Sequence, residues 1–388
     1  SGGNEYEDGQ IFNFDRLLIN DGQGNFNFSP GALNRVGNQG KALAIADFDG
    51  DQDQDVFVGA NVVPGAYGQN PQHYLLMNNG RGMFNDEFST RVASNRALGM
   101  LNAAEPIDFD SDGDMDLVVA GEWTAPLLLE NNGSGQFSLA ENSGMNQDLG
   151  WWYSLAVADL NVDGLPDIVA GNLGLNSKLK ASEEQPVTLY WEDIDQNEQI
   201  DPIIFHFQNG KETPFFSRDD LIKQVSMFKK LHDDYASYAQ NSSPDALLGK
   251  NYQDFRQKKA KEFRSKVYLN QGDGTFQALE LPEAAQWSPA KSIVIKDFND
   301  DQILDLLIFG NEYGFRTDFG KADAKPVTLL MGMGEGKFKP SSDRALNTSE
   351  TWGEYRYAKP ITINGEELIL AVRNDDEAIL LKTNSGLE

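Results

Sequence analysis

The chain has no cysteine. That removes thiol catalysis, zinc ribbons and disulfide staples together. Histidine is nearly absent too: His73, His206 and His232 stand far apart, with neither metal-binding nor triad spacing. No apolar run approaches the roughly 18 residues of a membrane span, and there is no nucleophile elbow or phosphate loop. Positive charge is scarce, with 32 Lys and Arg against 60 Asp and Glu and a net charge of −28. Nucleic acids and anionic membranes reward basic patches, so neither is an expected partner. Apolar residues still make up 40% of 388 positions and aromatics 11%, enough to bury a core. This is not a disordered acidic tail.

What the chain does have is acid in a repeated pattern. Asp108-Phe-Asp-Ser-Asp-Gly-Asp-Met-Asp116 places five carboxylates at alternate positions, and an apolar run, Leu117-Val-Val-Ala, follows at once. Carboxylates packed this closely repel one another unless a cation intervenes. Oxygen-only ligands on a flexible loop suit Ca²⁺ better than Mg²⁺. Four further stretches fit the template: Asp47 to Asp55, Asp159 to Asp167, Asp193 to Asp201 and Asp297 to Asp305. Asp or Asn holds positions 1, 3, 5 and 9, and position 2 is apolar. The expected side-chain ligands are Asp47, Asp49, Asp51 and Asp55; Asp108, Asp110, Asp112 and Asp116; Asp159, Asn161, Asp163 and Asp167; Asp193, Asp195, Asn197 and Asp201; and Asp297, Asn299, Asp301 and Asp305. Position 7 (Asp53, Asp114, Leu165, Gln199, Ile303) varies freely, which suits a backbone carbonyl donor.

Up to five Ca²⁺ ions are therefore expected, the grounds being stronger for the loops at 47, 108 and 159 than for those at 193 and 297, and an acidic turn without metal is the rival reading at 193. The five loops hold 21 of the 60 acids, and five ions would leave a net charge of about −18. An EF-hand is excluded. It needs a bidentate Glu at position 12, where these loops have Val58, Val119, Ala170, Ile204 and Ile308.

A second motif accompanies the first: an apolar strand, then Asn-x-Gly-x-Gly-x-Phe. It occurs at Leu17 to Phe26, Leu75 to Phe84, Leu128 to Phe137 and Tyr268 to Phe276, with a variant lacking the Asn at Leu330 to Phe338. Asn and Gly accept the positive φ of a tight hairpin. Each unit reads as strand, acidic loop, strand, variable loop, strand, glycine hairpin, strand. Repetition of such units predicts an all-β fold, a β-propeller of four-stranded antiparallel sheets spanning residues 15–388 after a linker or trimmed N-terminus at 1–14. Third-strand signals near 17, 74, 127, 188, 266, 328 and 378 suggest seven blades, with six as the alternative. The N-terminal hairpin is expected to close the ring beside Ala378–Lys382, and the fourth acidic loop to sit in a three-to-four turn.

The spacing breaks between 202 and 264. Ser217-Arg-Asp-Asp220 reads as a helix N-cap, and a helical insertion is expected at about 214–264. Lys211 to Lys266 carries 12 basic and 8 acidic residues. It is either a cap packed on the acidic body or an element that docks a partner.

The acidic loop followed by an apolar strand resembles the FG-GAP or VCBS repeat of integrin α-chain propellers. The added glycine hairpin is similar to the cartilage-acidic-protein group, whose bacterial members often carry an ASPIC/UnbV domain, and the segment from Ser217 looks like one in Bacteroidetes-type members. No ASPIC/UnbV-like segment is visible, so one domain of a longer polypeptide is expected. The resemblance implies a calcium-binding interaction module, extracellular or at the cell surface, with a protein or polysaccharide as partner. Alternation puts the acidic loops and hairpins at one end of the propeller. The opposite end carries Trp123, Trp151, Trp152, Trp287, Tyr313 and Trp352, which are either inter-blade packing or anchors for a ligand. Catalysis is not expected. The rival is a carbohydrate-active enzyme, a lyase or hydrolase, using acids such as Glu105, Glu122, Glu192 or Glu312.

Overall fold

Short runs such as Leu117-Val-Val-Ala-Gly and Leu306-Leu-Ile-Phe-Gly are apolar at every position, the pattern of strands covered on both faces. The computed structural model explains the covering. It describes residues 14–33, 37, 39–93, 97–316, 319–341 and 351–382, so most of the expected linker lies outside the described residues. Five antiparallel sheets stand side by side in chain order. Sheet I comprises Gly40–Ala46, Asp55–Ala60, Tyr74–Asn78 and Phe84–Asp86. Sheet II is built on Met100–Ile107, Asp116–Thr124, Leu127–Asn131 and Phe137–Leu139. Sheet III pairs Ser154–Ala158, Asp167–Gly171, Lys266–Asn270 and Phe276–Glu280. Sheet IV holds Ser292–Lys296, Asp305–Phe309, Val327–Gly332 and Phe338–Pro340, and sheet V holds Tyr355–Ile363, Glu366–Arg373 and Ile379–Lys382.

The core lies between the sheets. Phe57, Leu75 and Met77 of sheet I meet Leu101, Leu117 and Val119 of sheet II. Val118 and Leu128 meet Ile168 and Tyr268; Val169 and Val267 meet Leu306 and Leu330; Phe309 and Leu329 meet Tyr355 and Ile369. At about 1.5–3 kcal/mol for each large apolar side chain buried, these interfaces dominate stability. The first strands of all five sheets line one channel. The arrangement is propeller-like.

Three expectations are corrected. First, the strand at 187 is not a ring strand. Val187–Glu192 pairs with Asp201–Gln208 and Gln257–Ala260, and Lys211–Pro214 completes a separate four-stranded sheet. That sheet and four short helices, Arg218–Gln224, Phe228–Leu231, Tyr235–Gln240 and Pro244–Leu248, fill the connection between strands two and three of sheet III. The helices fall where the sequence places them, but the insertion runs from 172 to 265 and carries a sheet as well as helices. Seven sheets exist among the described residues, and five meet at the channel. Second, the fourth acidic loop joins the first two strands of this inserted sheet and not a three-to-four turn. Third, among the described residues the hairpin Leu18–Asn20/Phe26–Phe28 pairs with itself and not with Ile379–Lys382. Leu17 packs on Val58, Leu76 and Phe84 of sheet I, and among the described residues no apolar cluster joins sheet V to sheet I.

Candidate metal loops and the opposite channel mouth

All five acidic loops fold alike. Positions 4 and 6 take positive φ in every copy: Gly50 and Gln52, Ser111 and Gly113, Val162 and Gly164, Gln196 and Glu198, Asp300 and Gln302. The position-1 carboxylate holds this turn by accepting backbone N–H groups, as from Gly50 and Gln52 to Asp47 at 2.8 Å each. Asp193 does the same for Asn197 and Glu198 at 2.9 and 2.8 Å. The fourth loop therefore has the geometry of the others despite Glu198 and Gln199.

Position 9 is the buried anchor. Asp55, Asp116, Asp167, Asp201 and Asp305 are at most 3% exposed. One oxygen of each accepts the position-2 N–H, from Phe48, Phe109, Leu160, Ile194 or Phe298 at 2.9–3.2 Å. In the four ring loops the other oxygen accepts the N–H that opens the glycine hairpin, from Asn78, Asn131, Asn270 or Gly332 at 2.7–2.8 Å. Acidic loop and hairpin thus share one end of each sheet. Burial pushes the Asp55 carboxyl up to about 6 and that of Asp116 up to about 7.

Oxygens of Asp47, Asp49 and Asp55 all lie within 4.8 Å of one another, as do those of Asp108, Asp110 and Asp116, and of Asp193, Asp195 and Asp201. Each of the three clusters also holds one buried carboxylate oxygen with no hydrogen-bond donor: Asp49 Oδ1, Asp108 Oδ1 and Asp195 Oδ1. A buried anionic oxygen left this way costs free energy unless a cation meets it. The donor sets fit a hard, oxygen-seeking divalent ion. In the loops at 159 and 297, Asn161 and Asn299 instead donate Nδ2 to Asp163 and Asp301 at 2.8 and 2.9 Å. Those two loops hold themselves together more fully without metal.

The six aromatics expected at the opposite end divide. Trp123, Trp151 and Trp152 are 4%, 4% and 0% exposed, which removes them from any ligand surface. Trp123 and Trp151 lie under the insertion, against Leu179, Leu189 and Phe263. Trp152 packs between sheets II and III. Tyr313 is half-buried, with its N–H donating to Glu354. Trp287 and Trp352 remain 42% and 49% exposed.

The first strands enclose a channel, a cavity of about 560 Å³. The residue six places before each ring loop lines it: Lys41, Asn102, Tyr153 and Lys291, joined by Arg356 of sheet V. The Lys291 ammonium is 2.7 Å from Glu312 and 3.6 Å from the Tyr153 ring centre. Arg356 reaches Glu312 at 3.2 Å and Glu354 at 2.7 Å. Burial alone would raise the Glu312 carboxyl, but Lys291 and Arg356 hold it down to about 2. Glu122 accepts the Tyr67 hydroxyl at 2.8 Å, and that hydroxyl accepts from Trp123 Nε1 at 2.8 Å. Trp123 adopts φ 59, a strained value for a bulky residue, and this turns its indole toward Tyr67. Glu192 lies on the insertion, gripped by Arg256 at 2.7 Å. Glu105 lines the channel, and burial pushes its carboxyl up to about 7 against the pull of Lys359.

Lys41 and Tyr153 differ from these neighbours. Lys41 makes no ion pair with a described residue, and its ammonium lies 5.9 Å from the Tyr153 ring. It is reached by solvent yet walled by protein. Confinement holds its pKa down to about 8, opposed by Glu122. The Tyr153 hydroxyl has no hydrogen-bond partner among the described residues, and burial, Glu122 and Glu312 keep it protonated. Sequence reading missed this collar. The signal was present as a fixed offset from each loop, but it gains meaning only once the first strands are known to face one channel.

No curated protein matches the chain in sequence. Among solved structures, the V. cholerae biofilm matrix protein Bap1 is similar at 10% identity and TM-score 0.33, covering 93% of this chain and 70% of its own. The exotype rhamnogalacturonan lyase YesX is similar at 14% identity and TM-score 0.34, covering 98% and 68%. Polysaccharide lyase Uly1 follows at 10% identity and TM-score 0.29, covering 89% and 78%. The model of the FG-GAP-like repeat matches residues 108–170, the second acidic loop through the second strand of sheet III. Over that segment the chain is similar to the FG-GAP-like repeat.

Proposed function

We propose that this chain is a calcium-stabilised, extracellular or cell-surface propeller that binds a protein or polysaccharide and is not an enzyme. The observation carrying the calcium reading is the recurrence of one donorless, buried carboxylate oxygen in each of three acidic clusters. When bound, the ion would supply charge neutralisation to the loops. Asp47, Asp49 and Asp55, and their counterparts around Asp108 and Asp193, would hold it. The hairpin hydrogen bonds at position 9 pass that rigidity into strands two and three. Many-carboxylate sites suit the millimolar calcium outside cells, and a cysteine-free chain is compatible with that setting. The five sheets that meet at the channel are read as blades of one propeller.

The acidic end is given over to metal, which leaves the end with the channel mouth, Trp287 and Trp352 for a partner. No helix among the described residues is long and apolar enough to cross a membrane. Binding of a labelled glycan panel and extracellular proteins to the calcium-loaded chain tests the reading. Retention of a ligand through the mouth supports it, and failure to retain any glycan or protein contradicts it. A second reading, a carbohydrate-active enzyme, is favoured by Glu105, Lys41 and Tyr153 lining one channel with the Glu105 and Lys41 pKa values near neutrality. Release of unsaturated or reducing ends from polysaccharides would establish it.

A further inference from the structure

In a chain with nearly twice as many acids as bases, three of the five sheets place a cation at the same level of one channel. Two are spent: Lys291 on Glu312, and Arg356 on Glu312 and Glu354. Of the acids nearby, Glu122 accepts from Tyr67, and Glu105 has the charge of Lys359 beside it. Two donors are left over, the Lys41 ammonium and the Tyr153 hydroxyl, both among the residues lining the cavity. A cation site is excluded by Lys41 itself. A purely structural lysine would take one of the neighbouring carboxylates, as Lys291 does.

Resting on the ligand-binding reading above, we propose that the channel mouth recognises the carboxylate or sulfate of an acidic saccharide, with Lys41 and Tyr153 as its donors. Lys41 donates a charged hydrogen bond to the anionic oxygen, and Tyr153 donates its hydroxyl. Lys291, 3.6 Å from the Tyr153 ring centre, fixes that ring and adds positive field. The cavity volume of about 560 Å³ lies in the range of small-ligand sites and admits a sugar unit, not a folded protein surface. Trp287 and Trp352 are exposed and precede the channel residues Lys291 and Arg356 by four positions each, and their ring faces would serve the sugars that continue outward. The net charge of −28 repels anions at a distance, so affinity comes from these short contacts and falls as salt rises.

The test is calorimetric titration of the calcium-loaded chain with trigalacturonate, its methyl ester, a sulfated trisaccharide and hexaglutamate. The expected result is binding of trigalacturonate or the sulfated probe, which tells the two anions apart, and none of the ester. Lys41→Met should weaken it at least about tenfold, Lys41→Arg should largely restore it, and Lys337→Met at the acidic end should leave it unchanged. Unchanged melting temperatures would show that the variants fold. Equal binding of the methyl ester overturns the anion proposal while sparing the binding-module reading. Stronger binding of hexaglutamate overturns the saccharide assignment. Binding indifferent to Lys41→Met overturns the site. Absence of binding by all four probes, with some other glycan retained, also overturns this proposal alone.

Discussion

Asn131 of sheet II donates its side-chain amide to the Phe48 carbonyl of sheet I at 2.7 Å, across 83 residues of sequence. The same amide donates to Met115 O at 3.0 Å, while the backbone N–H is held by Asp116. Asn270 repeats the arrangement one sheet on, reaching Phe109 O at 2.7 Å. In sheets II and III the Asn of the glycine hairpin is thus a stitch to the preceding sheet as well as a turn residue. In sheet IV the position is Gly332, where a Cβ would lie 2.4 Å from Leu304 O, so that stitch is lost for a steric reason.

Asn131→Ala should therefore cost more than an ordinary turn substitution. It strands two buried carbonyls, and the expected loss is about 1–3 kcal/mol. Urea denaturation of Asn131→Ala and Asn270→Ala in calcium checks this. A change no larger than for exposed Asn25→Ala would mean the stitches carry little.

Two substitutions in one loop should separate structure from metal binding. Asp116 accepts two backbone N–H groups, from Phe109 and Asn131. Asp116→Asn turns an NH₂ toward one of them and should destabilise even in EDTA, by about 1–3 kcal/mol. Asp110 accepts a longer bond, from the Asp112 N–H at 3.4 Å, and burial and Asp112 already raise its carboxyl. Asp110→Asn should weaken calcium binding and leave the metal-free melting temperature unchanged or higher.

His73 makes stability depend on pH. Its Nδ1 accepts from Ala60 N–H at 3.1 Å, and burial holds its pKa down to about 4 from 6.5. A depressed pKa in the folded state means that its contribution is complete above 6.5 and is lost as pH falls through 4. The loss approaches about 3 kcal/mol at most. Urea melts between pH 7 and 4 in saturating calcium should show that slope, and His73→Gln should flatten it.

The aromatics allow a direct contrast. Trp152→Ala should cost about 3–5 kcal/mol, because the ring is wholly buried between sheets. Trp352→Ala should shift stability by no more than about 0.5 kcal/mol. Comparable losses would contradict the burial described.

Much of this was legible in residue order. The nine-residue template and the glycine hairpins mark their turns because both depend on local chemistry, positive φ and short carboxylate–amide bonds. Fully apolar strands announce two covered faces. Pairing over long range was not legible: nothing near Asp167–Gly171 says that its neighbour is Lys266–Asn270 and not Val187–Glu192, which carries the same signals. The burial of Trp123 and Trp151 followed from that miss, since the misplaced strands are the ones that cover them. Lys41 and Lys291 were invisible as a pair because six-residue offsets acquire significance only around a shared channel.

The central claim is that the acidic loops hold calcium and that the metal secures the sheets. Scanning calorimetry of the chain in EDTA and in millimolar calcium tests it most directly. A markedly higher melting temperature in calcium, returning to the EDTA value on chelation, is the expected result. Superimposable melting curves would contradict it.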